Sequence, residues 1–450
     1  MFVEQTQHLT GALSQAVQHL LAQVAAVAAQ HQLPVWLVGG VVRDLLLGLP
    51  IDRDLDLAVE GDAIALAGQL LQLSGAHLVA SHPPFGTATL QLPHPDDDGM
   101  LTLDLARTRV ETYAHVGALP TVAPASMQAD LARRDFSINA MACRLQAART
   151  AAGDWALQPA TLLDPFNGRA DLQASVLQVL HKRSFADDPT RILRGVRLAA
   201  RLGLRFANKS AVLLQQALQD GMLGAVSPER LRTELYLALS EPAPERVLEQ
   251  ADRLDLTPHL LAGVRWSDVL AARCLRVRTE PDLLVACLDR SEHTLALLYA
   301  GLITYDLPAQ ERRWLVQHYR LANDCASLFE DIIRVQGYRE QLAQPGLANS
   351  TLDAILRPVN SVALGVVHYA ESQSVGTTIA HYLGELRQLN PILDGHALQQ
   401  LGVAPGPQLG ALLRGLRAAR LDGLVVSRTD EETWVSEQVH ANNSTLPEQA

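Results

Sequence analysis

Two aspartates separated by one leucine, Asp54-Leu55-Asp56, follow a glycine turn in the run Leu37-Val38-Gly39-Gly40-Val41-Val42-Arg43-Asp44. Successive side chains of a strand point to opposite faces, so Asp54 and Asp56 share one face. Paired carboxylates suit a divalent metal, and a glycine turn at a helix start suits phosphate. The spacing therefore predicts metal-assisted chemistry on a nucleoside triphosphate, with solvent-facing acids on a half-buried strand as the alternative.

A third carboxylate, Asp104, lies in the alternating run Leu101-Thr102-Leu103-Asp104-Leu105. The leucines share one face of the predicted strand, and Asp104 lies on the other. Beside Asp54 and Asp56 it would complete a two-metal site, which activates an attacking hydroxyl and stabilises a leaving pyrophosphate. Taken alone, Asp104 would be an ordinary surface acid, because such residues are mostly exposed.

A cluster of charged and polar residues follows in Arg133-Arg134-Asp135-Phe136-Ser137-Ile138-Asn139-Ala140-Met141. Arg134 is suited to neutralise phosphate oxygens, because a guanidinium matches them with two parallel hydrogen bonds. Asp135 and Asn139 can bond a ribose hydroxyl. Without its neighbours, the cluster would be a common group of ion pairs at a helix start.

The last cluster, Asp187-Asp188-Pro189-Thr190-Arg191, leads into arginines at helical spacing, namely Arg194, Arg197, Arg201 and Arg205. At about 100° per residue the five arginines fall within about a third of the helix circumference. An ordinary solvated face is the alternative, but the row carries charge of one sign only. Asp188 accepts hydrogen bonds and Arg191 donates them, so the pair can read the Watson–Crick edge of a base without a nucleic-acid template.

The hydrophobic pattern predicts the elements that must position these clusters. Helices are predicted over residues 5–30, 41–47 and 62–73, and strands over residues 34–38, 54–59, 85–92 and 100–106. The acidic run at 93–99 is predicted to be a solvated hairpin tip. From about residue 171 onward helical periodicity dominates, which indicates a mixed α/β head followed by helices.

The amino-acid composition excludes several classes of protein. With 450 residues and a hydrophobic share of 48%, the chain is globular and large enough for several domains. A net charge of −11 counts against indiscriminate binding to nucleic acid. The cysteines form no CxxC pair, which argues against zinc and disulfides and favours a reducing cytoplasm. The sequence has no apolar run of membrane-spanning length, and its N-terminus lacks the pattern of a signal peptide.

In this order, the clusters resemble the motifs of the class II tRNA nucleotidyltransferase and bacterial poly(A) polymerase family. Those motifs are GGxVRD, DxD, RRDFxINAM and an acidic pair followed by xxR, and Asp164-Pro165-Phe166-Asn167-Gly168 also looks like the family. The resemblance runs from Val35 to about Arg232, where Ser227-Pro228-Glu229-Arg230-Leu231-Arg232 resembles the neck of these enzymes. Residues 393–423 resemble their tail, whereas residues 245–390 carry no motif that we can name.

The resemblance implies an α+β fold, in which a nucleotidyltransferase head with a small mixed β-sheet precedes an elongated all-α neck, body and tail. The implied parts are a leading helix (1–30), a head (31–168), a neck with the base-reading helix (169–240), a body (241–345) and a tRNA-binding tail (346–450). In the tail, Ala404-Pro405-Gly406-Pro407 predicts a helix start that holds an RNA phosphate, with Arg414, Arg417 and Arg420 adding charge. A structural turn between helices is the equal alternative.

Carried over residue by residue, the resemblance assigns a role to each cluster. In that assignment, the triphosphate is contacted by Gly39, Gly40 and Arg43, and Mg²⁺ is held by Asp54, Asp56 and Asp104. The nucleotide is contacted by Arg134, Asp135 and Asn139. The base is selected by Asp188 and Arg191, while Arg194 and Arg197 support the positioning of phosphate and base. Two residues depart from the family pattern. Ser137 replaces the usual Thr, and Asp187 replaces the common Glu, so a shorter first acid could alter nucleotide choice.

The implied reaction adds nucleotides from ATP and CTP to the 3′ acceptor end of tRNA in the cytoplasm, with release of pyrophosphate. CC-only members of the family lack a flexible segment before RRD. Here residues 111–126 fill that position, which argues against CC-only addition but leaves complete CCA and A-only addition open.

Two other functions remain open from the sequence. A poly(A) polymerase is one, although this chain ends in Glu431-Glu432 and an uncharged tract rather than in a basic extension. An inactive RNA-binding relative is the other, and the intact DxD and RRD clusters count against it.

Overall fold

The structure, a computed structural model, describes residues 13–444 except residues 52, 160, 262, 282, 284–287 and 289–290. The chain divides into two compact units, Met1–Glu234 and Leu235–Ala450. The first unit combines strands and helices, and the described part of the second is helical. The predicted α+β class is confirmed, while the finer division at residues 30, 168, 240 and 345 stays a prediction.

All strands of the described residues lie in the first unit. They are β1 Val35–Val38, β2 Asp54–Val59, β3 His77–His82, β4 Thr87–Pro93, β5 Met100–Arg107, β6 Arg109–Thr112, β7 Thr121–Pro124, β8 Ala142–Arg144, β9 Ala147–Arg149, β10 Trp155–Leu157, β11 Leu162–Leu163, β12 Val176–Leu177 and β13 Arg205–Phe206. The helices are α1 Gln15–Gln30, α2 Gly40–Leu47, α3 Ala63–Leu70, α4 Met127–Ala132, α5 Gly168–Gln173, α6 Ser184–Asp187, α7 Thr190–Leu202, α8 Asn208–Gln219 and α9 Pro228–Leu239, of which α9 continues into the second unit.

Within the described residues, seven strands form one sheet in the order β11-β8-β1-β2-β5-β4-β3. β2 and β5 run parallel, whereas the other neighbours are antiparallel, so the sheet is mixed as predicted. Leu55, Leu57 and Leu103 are buried in the core. Because side chains alternate along a strand, the acids of β2 and β5 lie on the opposite face.

The glycine turn after β1 takes the predicted form. Gly39, with a φ of +73°, precedes α2, and Gly48, with a φ of +65°, ends it. Positive φ values suit glycine, which has no Cβ to clash with the backbone. The helix predicted over 41–47 is therefore confirmed to within one residue.

The other predicted helices of this unit are shorter than expected. Ser14 caps α1 by accepting a hydrogen bond of 3.1 Å from the backbone nitrogen of Val17, so the helix begins at Gln15. The predicted stretch 5–12 lies outside the described residues. Asp62 caps α3, which ends at Leu70 rather than at residue 73.

Nine strands, β3 and β6 to β13, are not predicted by the sequence pattern. β3 is an edge strand in which the neighbouring Leu78 and Val79 are both exposed, so it lacks the alternation of a half-buried strand. β6 and β7 form a separate antiparallel hairpin. This hairpin occupies much of the segment 111–126 that the family resemblance marks as flexible.

The acidic run at 93–99 connects β4 and β5 as a hairpin tip, as predicted. It is exposed but not purely solvated, because Asp97 forms an ion pair of 3.0 Å with Arg53. Asp96 also accepts a hydrogen bond from the hydroxyl of Ser14. Exposed contacts of this kind add little stability.

The predicted row of five arginines is only partly correct. α7 ends at Leu202, before Gly203, so Arg205 lies on β13 rather than on the helix. Arg191 is buried, with 4% of its surface exposed, while Arg201 is exposed. The helix therefore does not carry one uniform solvated face of arginines.

The second unit consists of helices in its described part. They are Pro244–Arg253, Thr257–Leu260, Asp268–Thr279, Glu292–Ile303, Ala309–His318, Asn323–Gln336, Arg339–Leu342, Asn349–Leu356, Ser361–Ala370, Gln373–His381, Gly395–Gln400, Pro407–Leu421 and Arg428–Ser444, with a π-helical turn at Tyr382–Leu386. Leu393, Leu398, Leu416 and Val435 belong to one buried cluster near the C-terminal end. Among the described residues, no helix combines the length and apolar character that crossing a membrane requires.

Two of the three predicted tail arginines do not add surface charge. Arg417 is buried and donates two hydrogen bonds of 2.9 Å to the carboxylate of Asp353. Arg420 pairs with the buried Glu431 at 2.7 Å. Arg414 is exposed. The prediction for Arg417 and Arg420 is wrong, because both side chains neutralise buried acids.

Three of the four cysteines lie among the described residues. Cys143, Cys274 and Cys325 are free and buried. Cys287 lies outside the described residues.

Candidate active site

A cavity of about 560 Å³ in the first unit gathers the three sequence clusters. The predicted site residues that line it are Gly39, Gly40, Asp56, Asp104, Arg134, Asp135, Asn139, Asp188, Arg191 and Arg194. Arg43, Asp54 and Arg197, although they are within the described residues, are not part of this lining.

The neighbouring strands β2 and β5 place two acids side by side. Asp56 lies opposite Asp104 in the parallel register, and Asp54 lies opposite Thr102. Thr89, which faces Asp104 from β4, donates a hydrogen bond of 2.5 Å to its Oδ1. The structure therefore supports Asp56 and Asp104 as a pair, with Asp54 exposed at the start of β2.

The surroundings of Asp56 disfavour its negative charge. Solvent reaches the side chain, but the walls of the cavity remove much of its hydration, and this desolvation raises its pKa above the ordinary value. Arg134 opposes the rise, while Asp104 and Asp54 add to it. A cation beside Asp56 would relieve the repulsion among these acids.

The acidic pair fits a divalent metal by the chemistry of its donors, because carboxylate oxygens are the ligands that Mg²⁺ prefers. Across the part of the chain that the structure describes, no group of three His, Cys, Asp or Glu side chains is already arranged to hold a metal ion. Any metal bound by Asp56 and Asp104 would therefore need ligands from the substrate, from water or from a shift of Asp54.

The glycine turn brings a guanidinium and a carboxylate close to the backbone. A Cβ on Gly39 would lie 3.0 Å from Arg134 Nη1 and 3.7 Å from Asp56 Oδ2. Asp130 holds Arg134 through an ion pair of 3.2 Å. Among the described residues, the buried Nε of Arg134 has no hydrogen-bond partner. The turn thus offers positive charge and backbone amides to an anion such as phosphate.

Arg43 lies behind this turn. It is buried and donates hydrogen bonds of 2.8 Å to both oxygens of Asp44 and one of 2.7 Å to Asn139 Oδ1. The guanidinium thus orients Asn139, and its direct contact with triphosphate stays a prediction.

Asn139 continues this chain of hydrogen bonds toward α7. Its Nδ2 donates to Asp135 at 3.1 Å, and Asp135 forms an ion pair of 3.0 Å with Arg194. Burial acts to raise the pKa of Asp135, but Arg194 and the bond from Asn139 outweigh it, so the pKa lies below its ordinary value. Asp135 is therefore an ionised acceptor at neutral pH.

Asp188 and Arg191 meet at the cavity with complementary groups. Asp188 Oδ1 accepts hydrogen bonds from the nitrogen and hydroxyl of Thr190, at 3.1 and 2.7 Å, and from Arg230 at 2.7 Å. Arg191 Nη2 donates to the backbone oxygen of Arg133 at 2.7 Å. Arg191 Nη1 is buried and has no hydrogen-bond partner among the described residues. A buried donor of this kind is costly unless a ligand satisfies it.

Two predicted residues face elsewhere. Asp187 forms an ion pair of 3.1 Å with the exposed Arg183. Arg197 forms one of 3.1 Å with Glu234. Neither residue lines the cavity within the described chain.

Several residues that support the site were missed by the sequence analysis. Asp130 is buried and anchors Arg133 and Arg134, Thr89 orients Asp104, and Arg230 holds Asp188. Asp130 lies four residues before Arg134, which is the helical spacing of an ion pair, so the sequence alone indicates that Asp130 can pair with Arg134. The partners Thr89 and Arg230 become visible only in the fold.

Comparison with known proteins matches residues 35–178 to the poly A polymerase head domain family. An A-adding tRNA nucleotidyltransferase from Halalkalibacterium halodurans is 33% identical over 417 residues, which are 91% of this chain and 90% of that protein. A CC-adding tRNA nucleotidyltransferase from Deinococcus radiodurans is also 33% identical, over 90% of each chain. An A-adding tRNA nucleotidyltransferase from Geobacter sulfurreducens is 33% identical over 92% of this chain, which spans 46% of that longer protein.

Solved structures agree with these relatives. An apo form of a CCA-adding enzyme superposes with a TM-score of 0.77 at 25% identity, covering 98% of this chain and 99% of that one. A CCA-adding enzyme in complex with ATP gives a TM-score of 0.75 at 25% identity, over 98% of this chain and 99% of that one.

Proposed function

The chain belongs to the tRNA nucleotidyltransferase family, and we propose that it adds CCA, or at least the terminal A, to the 3′ end of tRNA. The nucleotides come from CTP and ATP, pyrophosphate is released, and no nucleic-acid template is needed. One observation carries the proposal: a buried donor of Arg191, without a hydrogen-bond partner among the described residues, belongs to a cavity that is also lined by Asp188, Asp56 and Asp104.

The pair of Asp188 and Arg191 matches the two bases of the CCA end. Cytosine and adenine each present an amino donor next to a ring-nitrogen acceptor, whereas uracil and guanine present the reverse order. Asp188 can accept from the amino group, and Arg191 Nη1 can donate to the ring nitrogen. UTP and GTP would leave these buried groups unpaired, which is the strongest form of rejection available to a hydrogen-bonding site.

Asp56 and Asp104, assisted by Asp54, are the residues that we propose for Mg²⁺, and this family generally uses a divalent metal. Such a metal lowers the pKa of an attacking hydroxyl and neutralises charge on a leaving pyrophosphate. The chain's own residues bind and orient the nucleotide. Arg134 and the turn at Gly39 and Gly40 hold the phosphates, while Asp135 and Asn139 accept or donate at the ribose. The tRNA 3′ oxygen then bonds to the α-phosphorus as the bond to pyrophosphate breaks.

Which nucleotides the protein adds to tRNA is also part of the proposal. The segment 111–126, which is present here, favours complete CCA or A-only addition over CC-only addition. Relatives with A-adding and with CC-adding activity share the same 33% identity with this chain, so overall similarity does not separate the products. A cytoplasmic location, which suits tRNA substrates, is likewise proposed.

Transcripts that end before C74, before C75 or before A76 (tRNA end positions) test the proposal when each is incubated with CTP and ATP separately. Addition to all three supports complete CCA synthesis, and addition to the last one alone supports A-only synthesis. Extension of an unrelated RNA as efficiently as tRNA would favour a poly(A) polymerase instead. No addition to any transcript in the presence of Mg²⁺ would refute the proposal.

A further inference from the structure

An exposed aromatic ring lies next to the lining of the cavity. Phe85 ends the 3₁₀ turn Pro83–Phe85 between β3 and β4, and 41% of its surface is exposed. Among the described residues of the first unit, it is the one exposed Phe, Tyr or Trp. We propose that Phe85, supported by Arg109, binds the last base of the RNA chain that receives the nucleotide. This inference rests on the proposed function, because it gives the acceptor end of the RNA a place beside the nucleotide.

Arg109 connects this ring to the cavity, because Arg109 itself belongs to the cavity lining. Its guanidinium carbon lies 5.9 Å from the centre of the Phe85 ring, and its Nη1 donates a hydrogen bond of 3.4 Å to the backbone oxygen of Phe85. Its Nε and Nη2 contact Glu111 Oε1 at 3.0 and 2.9 Å. Glu111 also pairs with Arg133, another residue of the lining. The guanidinium is therefore fixed beside the ring, and the two together offer a surface on which a base can stack.

The strands place this ring and the glycine turn on opposite sides of the acid pair. β1 runs antiparallel to β2, so the glycine turn at the end of β1 lies towards the start of β2. β4 runs antiparallel to β5, so the residues before Thr87 lie towards the end of β5. β2 and β5 are parallel, with Asp56 opposite Asp104. The acid pair therefore lies between the turn proposed for the phosphates and the ring of Phe85.

The geometry of the reaction determines the side from which the RNA end arrives. In phosphoryl transfer the attacking and leaving oxygens lie roughly in line across the phosphorus. With pyrophosphate held at the glycine turn and the α-phosphorus at the acids, the 3′ oxygen approaches from the side of β4, where Thr87 and Thr89 line the cavity. The base of that last nucleotide then stacks on Phe85. Stacking accepts any base, which suits an RNA end that changes after each addition.

Two synthetic acceptor-stem minihelices that end at position C75 test this inference by equilibrium binding to the full-length protein with Mg²⁺. One keeps its last base, and the other has an abasic ribose there with the same 3′ hydroxyl. We expect the wild type to bind the abasic RNA about tenfold more weakly, the scale of one stacked base. Phe85→Ala should bind the intact RNA about tenfold more weakly and lose nothing further with the abasic RNA, because the same contact is already missing.

Further variants separate stacking from a general structural role. Phe85→Trp keeps a ring that stacks and should retain the preference for the intact RNA, whereas Phe85→Leu keeps only apolar surface and should lose most of it. Arg109→Gln removes the cation beside the ring and should reduce the preference by less than Phe85→Ala. Leu78→Ala is the matched control, because it shortens another exposed apolar side chain of the same sheet and should change neither affinity. If Phe85→Ala does not fold, Phe85→Leu decides the question.

An abasic penalty of the same size in the wild type and in folded Phe85→Ala would overturn the inference. Equal losses of affinity for RNA and for ATP in Phe85→Ala would also overturn it, because the ring is proposed to contact only the RNA. Addition from ATP to the intact minihelix, measured on the same samples, keeps the two proposals apart. A wild type that adds nothing, yet shows an abasic penalty that Phe85→Ala removes, would refute the proposed function and leave this inference standing. Normal addition without an abasic penalty would overturn the inference alone.

Discussion

The surroundings of Asp56 make the negative charge of its side chain unfavourable. Desolvation raises its pKa, Arg134 opposes the rise, and Asp104 and Asp54 add to it. A carboxyl whose pKa is higher in the folded than in the unfolded state destabilises the fold most at pH values above the folded pKa, and this penalty disappears as the pH falls from the folded to the unfolded pKa. At neutral pH the ionised Asp56 therefore costs stability that a bound cation would restore.

Replacing Asp56 with asparagine should separate activity from stability. We expect Asp56→Asn to abolish nucleotide addition and, in metal-free buffer at neutral pH, to raise the thermal midpoint slightly, because the unfavourable charge is gone. Asp98→Asn, which changes an exposed acid at the hairpin tip, should do neither. Single-turnover addition and calorimetry would measure both effects. Normal addition by Asp56→Asn, or a lowered midpoint, would contradict this account of the site.

At the scale of elements, the turn between β1 and α2 depends on the absence of a side chain at Gly39. Gly39→Ala should cost about 1–3 kcal/mol of unfolding free energy, because a residue with a Cβ is strained at positive φ. It should also weaken triphosphate binding, since the new Cβ would lie 3.0 Å from Arg134 Nη1. Gly68→Ala is the matched control, because its Cβ would meet no atom within 4 Å in the helix α3. Equal nucleotide affinity in Gly39→Ala and wild type would show that the turn does not hold phosphate.

The elements that sequence predicts well are those with a strong local pattern. β2 and β5 alternate leucine with polar residues, and α2 is bounded by glycines that stop it at both ends. β3 has no such alternation, and β11 has only two residues, so its place in the sheet depends on pairing with β8. Such pairing across distant segments leaves little trace in local sequence.

The site residues divide in the same way, into those that local sequence predicts and those that depend on contacts between distant segments. Motif spacing predicts the acids of β2 and β5, which the fold places in register. It cannot predict that Asp44 and Asn139 engage the guanidinium of Arg43. Nor does it show that Arg230, 42 residues from Asp188, supplies one of its donors. Which partner a charged side chain binds depends on the tertiary fold. Motif spacing therefore does not predict the roles of these charged residues in the site.

In the second unit, the helix Pro407–Leu421 carries the buried ion pair of Arg417 with Asp353. Arg417→Ala should cost about 3–5 kcal/mol of unfolding free energy, because it leaves the buried Asp353 with only the longer contact of 3.7 Å to Arg357 and the hydrogen bond from Tyr382. Arg414→Ala, which changes an exposed arginine on the same helix, should cost little. Denaturant unfolding followed by hydrogen exchange in residues 349–421 would measure the difference. Similar stabilities for the two variants would show that the pair contributes nothing.

The pH dependence of this ion pair has a definite sign. Burial acts to raise the pKa of Asp353, but the hydrogen bonds and charge of Arg417 outweigh it and lower the pKa. The stabilisation is therefore present above the unfolded pKa and is lost as the pH falls through the lowered folded value. The deficit of Arg417→Ala should accordingly shrink on acidification.

At the scale of the whole molecule, a net charge of −11 requires that any tRNA contact use a few well-placed cations. Deleting residues 391–450 would be a poor test of a tRNA-binding tail. The deletion would remove Arg417 from Asp353, which lies in the retained part, and would remove the buried cluster that contains Leu416. A loss of binding would then report unfolding as readily as a lost contact. Substitution of an exposed residue avoids this ambiguity.

Arg414 is the residue for that test, because it is exposed on the helix that follows Gly406, whereas Arg417 and Arg420 are engaged by buried acids. If the tail holds tRNA through a phosphate, Arg414→Gln should weaken tRNA binding and reduce the slope of log affinity against log salt by about 1. Addition to a short acceptor-stem minihelix should be unchanged. Arg428→Gln is the control, since Arg428 is exposed but already paired with Glu432 at 3.0 Å. An unaltered salt slope in Arg414→Gln, or equal losses on tRNA and minihelix, would favour a purely structural role for the tail.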